Sequence, residues 1–357
     1  MAPILVTGAT GTIGTHLTAL LNREGIEPRV LLRRPCPPEA WGDLRVRPVP
    51  GDLADRSEAG AERLQRAMEG ARTVYHLAAP VRISGGDAAE QWETNRDGTA
   101  RLYAAAARAG AALFLHVSTI GAVGASEDGE AVNEDSPWNL GAARNPYFDS
   151  KRAAEEYLLA PPGTPSPAGL PPRPAGPPVV VVNPSVVLGS RASVRKRARL
   201  LSRGEPPPLR AVERLPRWTV LLRLPLPAPP VTLNLVGAED VARGILLASA
   251  RGLPGRRYLL TGADVDWATA LRLLRPWVRT APPLPPIPRP LFSLFYRLFA
   301  PAALLAGRSP DRMRTRARLA RYRWIYSSER ARRELGWTAA PIEETLRAVL
   351  GPERARS

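Results

Sequence analysis

Tyr147-Phe148-Asp149-Ser150-Lys151 places a phenol and an ammonium four positions apart, one helical turn, so any helix that carries them puts both on one face. Lysine is nearly absent from the chain: of 50 cationic residues only Lys151 and Lys196 are lysines, and bulk positive charge is left to arginine. A free phenol titrates near 10, too high for proton exchange at neutral pH, and an adjacent cation stabilises the phenolate. With so few lysines in the chain, coincidence is a poor explanation of the pair; a surface pair on an amphipathic helix is the plainer alternative.

A second group of residues suits phosphate chemistry. Thr7-Gly8-Ala9-Thr10-Gly11-Thr12-Ile13-Gly14 follows the apolar run Ile4-Leu5-Val6 and opens a helical pattern. Gly8 permits the tight turn, Gly11 lets the backbone approach a pyrophosphate, and Gly14 lets the helix pack closely on the strand. The helix N-terminus then offers free N–H groups and the positive end of its dipole. About 20 positions further on, an acidic residue would bind the ribose 2′-hydroxyl of NAD. Here the chain carries Arg33-Arg34, with no carboxylate between Pro28 and Pro38. Two guanidiniums suit a 2′-phosphate, so NADP(H) is the preferred cofactor. NAD(H) stays open, because arginine is common enough here for Arg33-Arg34 to be a solvated pair.

Positioning both groups requires an alternating α/β scaffold. Short β-branched runs at 3–7, 28–33, 45–49, 72–78 and 112–118 alternate with helical patterns at 12–24, 57–69 and 88–109, as in a parallel sheet covered on both faces. Helix 147–159 carries the tyrosine and lysine. A Pro-Gly-Ser segment at 161–178 reads as a surface insertion before a strand at 179–183. Beyond 184 the pattern breaks into a basic helix around 192–203, a Pro-rich stretch at 206–230 and a cleaner helix at 239–250. The expected organisation is a Rossmann-type dinucleotide domain over 1–184, rejoined by 231–262, with a smaller irregular substrate domain from 185–230 and 263–357. Residues 291–305 form an apolar segment too short to span a bilayer, read as a buried helix, a substrate wall or a peripheral membrane contact.

Composition narrows the class. A chain of 357 residues, 44% of them apolar, has material for a sizeable core. Its single cysteine, Cys36, forms no internal disulfide, and the N-terminus shows no basic leader or long apolar stretch, so a cytoplasmic protein is expected. The net charge of +17 invites a nucleic-acid reading, but abundant Arg, Ala, Pro and Gly with scarce Lys points instead to compositional bias; no nucleic-acid partner is expected. His16, His76 and His116 are dispersed and read as structural, and no metal site is expected.

With Gly51-Asp52-Leu53, His76-Leu77-Ala78-Ala79, Asn95 with Gly98-Thr99, and Val117-Ser118-Thr119 between the glycine turn and Tyr147 to Lys151, the chain resembles the extended short-chain dehydrogenase/reductases of the NAD-dependent epimerase/dehydratase superfamily. The resemblance implies that Asp52 and Leu53 flank the adenine, that Ala78 and Ala79 line the cofactor, and that Asn95 belongs to the same site. By the same resemblance, Tyr147 exchanges a proton with the substrate oxygen. Lys151 holds the nicotinamide ribose and lowers the tyrosine pKa, and Thr119 hydrogen-bonds the substrate oxygen, with Ser118 as the fallback. Val182-Asn183-Pro184-Ser185-Val186-Val187-Leu188-Gly189 resembles the dihydroflavonol-reductase and 3β-hydroxysteroid-dehydrogenase branches and implies that Pro184 and Ser185 lie beside the nicotinamide.

The expected function is an NADP(H)-dependent interconversion of a ketone and a secondary alcohol on a small, fairly apolar molecule. The alternatives are a sugar or sugar-nucleotide epimerase or dehydratase with internal cofactor recycling and, from another class, a non-catalytic NADP-binding redox sensor. A homodimer is an expectation from the family alone.

Overall fold

Seven short strands lie side by side in the order β3-β2-β1-β4-β5-β6-β9, every neighbouring pair parallel. They are β1 (Ile4–Thr7), β2 (Arg29–Leu32), β3 (Arg47–Pro50), β4 (Thr73–His76), β5 (Leu113–Val117), β6 (Val179–Pro184) and β9 (Arg257–Leu260). Helices α1 (Thr12–Arg23), α2 (Glu58–Met68), α3 (Ala88–Trp92), α4 (Gly98–Arg108), α5 (Pro146–Leu159) and α7 (Ala238–Arg251) cover the two faces. This is the expected Rossmann-type doubly wound sheet. The computed structural model describes residues 3–83, 87–165, 169–190, 193–201, 230–277 and 318–351, with 285, 287, 288, 290–292, 294, 314 and 315. The Pro-rich stretch at 206–229 and most of 291–305 lie outside the described residues.

Parallel strands between two helical layers are buried on both faces, so they read as continuous apolar runs. Val179, Val180, Val181 and Val182 of β6 illustrate this. Val180 and Val182 pack with Leu17 and Leu21 of α1 and Val241 and Ile245 of α7, whereas Val179 and Val181 pack with Leu64 of α2, Leu102 of α4 and Leu158 of α5. Strand order reverses on either side of β1, and the crevice at the carboxyl ends of β1 and β4 is where such sheets receive a ligand.

The helical pattern at 88–109 is not one helix. It divides into α3, a widened π turn at Glu93–Asp97, and α4. Such a bulge admits one extra residue and redirects side chains, and here the fully buried Asn95 sits within it. The described part of 161–178 folds back on the main body: Arg173 Nε donates to the Ala160 carbonyl (2.7 Å) and the Tyr103 hydroxyl to the Pro177 carbonyl (3.1 Å).

Past β6 the chain builds a second sheet from β7 (Val186–Leu188), β8 (Thr232–Gly237) and β10 (Ala263–Asp266), with β8 central. The basic helix α6 (Val194–Leu201) separates β7 from β8 in the sequence. Helices α8 (Trp267–Leu274) and α9 (Ile342–Leu350) bring Leu273, Ile342 and Leu346 against Leu188, Leu235 and Val265 of this small sheet. Residues 323–327 return to the active-site side, where Ser126 bridges Arg323 and Val132 bridges Tyr326.

Candidate active site

The glycine turn is built so that nothing larger fits. Gly8 has φ +74, and a Cβ there would lie 2.6 Å from the Ala78 nitrogen. At Gly14 a Cβ would meet Ala9 Cα at 2.6 Å and collide with the Gly8 carbonyl. Gly11 caps α1 with extended backbone and no side-chain hydrogen bond, so no capping side chain occupies the first N–H groups of the helix. This narrow, donor-rich cradle fits a pyrophosphate.

A directed chain of hydrogen bonds leads from the turn to the helix of the tyrosine and lysine. The Thr99 hydroxyl donates to the Asn95 carbonyl (2.6 Å), so its oxygen must accept from His76 Nε2 (2.8 Å). Burial, together with the Lys151 charge, drives the His76 pKa well below its ordinary value, so the ring is neutral and its Nδ1 accepts from the Thr7 hydroxyl (2.7 Å). That Thr7 oxygen in turn accepts from the Ala78 nitrogen (3.1 Å). Asn95 Nδ2 donates to the Ser150 hydroxyl (3.1 Å), which donates to the Tyr147 carbonyl (3.1 Å). Thr7, Ala78, Asn95 and Tyr147 are thus tied into one polar seam.

Tyr147, Lys151 and Thr119 come together at the carboxyl end of β5, all of them buried. The Tyr147 hydroxyl is hydrogen-bonded to the Thr119 side chain, and burial pushes the phenol up to about 12 against that bond. Lys151 Nζ donates to the Val117 carbonyl (2.7 Å) and lies 3.1 Å from His116 Nε2. Burial pulls the ammonium down to about 7, opposed by the Glu155 carboxylate. Glu155 accepts from Asn183 Nδ2 (2.6 Å) and lies 3.5 Å from Arg257. The sequence leads one to expect a lysine that lowers the tyrosine pKa; in the folded chain the phenol is shifted upward, because desolvation is its largest influence.

The remaining expected residues follow the carboxyl ends of the sheet's strands: Arg33 and Arg34 after β2, Asp52 and Leu53 after β3, Ala78 and Ala79 after β4, Ser118 after β5 and Ser185 after β6. Leu53 is buried and its carbonyl accepts from Arg101 Nε (3.0 Å), while Asp52 accepts from the Ala54 nitrogen (3.0 Å). Arg33 lies 3.8 Å from Glu90 of α3, and Arg34 is exposed. Ser118 and Ser185 follow β5 and β6, and their buried hydroxyls have no partner among the described residues. Thr10 accepts at its carbonyl from the Arg195 nitrogen (2.9 Å), and the Thr15 hydroxyl accepts from the Val194 nitrogen (3.2 Å). The start of α6 therefore rests on the glycine turn, a contact between segments far apart in sequence that no local pattern announces. His76 and His116, dispersed in the sequence, have ring centroids 5.1 Å apart. The sequence does not mark His116 as a neighbour of Lys151; the one signal it carries is a place on β5 opposite His76 of β4.

Comparison with known proteins identifies the family. The model of the NAD dependent epimerase/dehydratase family matches residues 4–162. The sterol demethylase protein B of Methylococcus capsulatus is 32% identical over 308 residues, covering 84% of this chain and 80% of that protein. A putative dihydroflavonol 4-reductase of Synechocystis is 28% identical, covering 96% and 91%. Among solved structures, the Bordetella bronchiseptica enzyme WbmG in complex with NAD and UDP superposes with a TM-score of 0.66 at 18% identity, covering 97% of this chain and 93% of that one. The chain belongs to the NAD-dependent epimerase/dehydratase family of extended short-chain dehydrogenase/reductases, enzymes whose cofactor is a nicotinamide dinucleotide.

Proposed function

We propose that the protein is an NADP(H)-dependent oxidoreductase that interconverts a ketone and a secondary alcohol on a fairly apolar substrate. The observation that carries this reading is the buried hydroxyl pair of Tyr147 and Thr119 at the end of β5, one helical turn from Lys151 and joined to the glycine turn by the seam through Asn95. The nicotinamide, when bound, supplies or accepts the hydride. Thr119 orients the substrate oxygen, and Tyr147 gives that oxygen its proton in reduction and takes it back in oxidation. Lys151 supplies donors for the cofactor ribose, and as an ammonium it favours the phenolate once a ligand draws it toward Tyr147.

An apolar substrate is supported by two relatives whose names refer to a sterol and a dihydroflavonol, and by the exposed apolar residues Val81 and Ile83 on the loop after β4. The preference for NADP(H) rests on Arg33 and Arg34 at the end of β2. Glu90 beside Arg33 works against a 2′-phosphate unless it swings away. The test is a panel of ketones and secondary alcohols screened with NADPH, NADH and their oxidised forms. Net change in nicotinamide absorbance with apolar ketones supports the proposal; conversion of a sugar nucleotide without net change supports an epimerase or dehydratase instead.

A further inference from the structure

Asn145, two residues before the tyrosine, is fully buried, and its short side chain serves two segments at once. Its Oδ1 caps α5, accepting from the backbone nitrogens of Tyr147 (3.1 Å) and Phe148 (3.3 Å). Its Nδ2 donates to the carbonyl of Ile83 (2.9 Å) on the loop after β4. Asp, Ser and Thr cap helices as well as Asn does, but Asp at neutral pH has no proton for the Ile83 carbonyl. The chain enters this position through Arg144, whose φ of 47 makes it the one non-glycine residue with positive φ among those described. A left-handed arginine is strained, and it persists only where its surroundings over-determine it. The loop so held carries Val81 and Ile83, which are 61% and 43% exposed.

We propose that Asn145 is a positioning residue that latches the loop after β4 to the first turn of the catalytic helix, so that Val81 and Ile83 form an apolar edge of the substrate pocket beside Tyr147. The latch itself stands on the hydrogen bonds; its effect on substrate choice rests on the oxidoreductase reading above. Loss of the donor frees the loop without uncapping the helix. Loss of the whole amide does both.

The test compares the full-length wild type with Asn145→Asp, which keeps the capping acceptor, and Asn145→Ala, which keeps neither function. Amide hydrogen exchange read by mass spectrometry is expected to accelerate about tenfold across 79–83 in Asn145→Asp while 147–151 stays as in the wild type; in Asn145→Ala both accelerate. With NADPH, the ratio of kcat/KM for 2-decanone to that for 2-butanone is expected to fall about fivefold in Asn145→Asp, through KM for the longer ketone. The ratio is insensitive to the effect of the added charge on proton transfer. Unchanged exchange across 79–83 in Asn145→Asp overturns the latch, and faster exchange with an unchanged ratio overturns its part in substrate choice. If neither ketone is reduced by the wild type, the reading of the reaction fails, and the exchange comparison still decides the latch. Should Asn145→Ala not fold, the Asp variant alone carries the comparison.

Discussion

Lys151 is an ionisable group placed where charge is unfavourable. Its amine is buried between β5 and α5, and desolvation lowers its pKa from 10.5 to about 7 in spite of Glu155 on the next turn. Between those two values the unfolded chain holds the proton and the folded chain does not. Stability contributed at this position therefore rises with pH across that window, and the penalty is fully present below about 7. Lys151→Met is accordingly expected to raise the melting temperature at pH 6 and to do less at pH 9.5; an equal shift at both would contradict a buried amine. Asp149 shows the opposite sign: burial lifts its carboxyl from 3.8 to about 6, and the unfolded chain is the one that ionises first. Its penalty grows as pH rises through that range. Asp149→Asn should stabilise the protein at pH 8 and have little effect at pH 4, measured by thermal unfolding.

At the scale of elements, the close fit of α1 onto β1 has no tolerance for a methyl group. Gly14→Ala would drive a Cβ into the backbone of Gly8 and Ala9, so a loss of about 2 kcal/mol and weakened dinucleotide binding are expected. Chemical denaturation and cofactor titration read these two effects. Such positions are legible in sequence because the demand is local: a strand, a turn and a helix must meet within a few residues. The same holds for the valine run of β6 and for Tyr147 and Lys151 on α5. What stayed illegible depends on contacts distant in the chain. The small sheet of β7, β8 and β10 joins strands separated by prolines and by α6. Residues 88–109 read as one helix because apolar periodicity does not register the extra residue of a π turn. Asn145 precedes the expected helix 147–159, and nothing nearby in sequence reveals that its amide meets Ile83.

At the scale of the whole molecule, the proposed site runs from a dinucleotide end at Arg33 to a chemical end at Tyr147, and the segment after β4 has a residue near each. Near one end Glu90 lies 3.8 Å from Arg33, and near the other Ile83 accepts from Asn145. If Arg33 reads a 2′-phosphate, Arg33→Ser should weaken NADPH binding about tenfold with little effect on NADH, and Glu90→Gln should favour NADPH further. Calorimetric titration of both cofactors measures this, and equal losses for NADPH and NADH in Arg33→Ser would remove the preference. Outward hydride transfer governed by Tyr147 is read by mixing the protein with NADPH and 2-decanone while following reduced nicotinamide and alcohol together. The wild type should consume one cofactor for each alcohol formed. Tyr147→Phe should bind NADPH as tightly and turn over about 10²- to 10⁴-fold more slowly. A Tyr147→Phe protein as fast as the wild type, or product formed with no net loss of reduced cofactor, would contradict it.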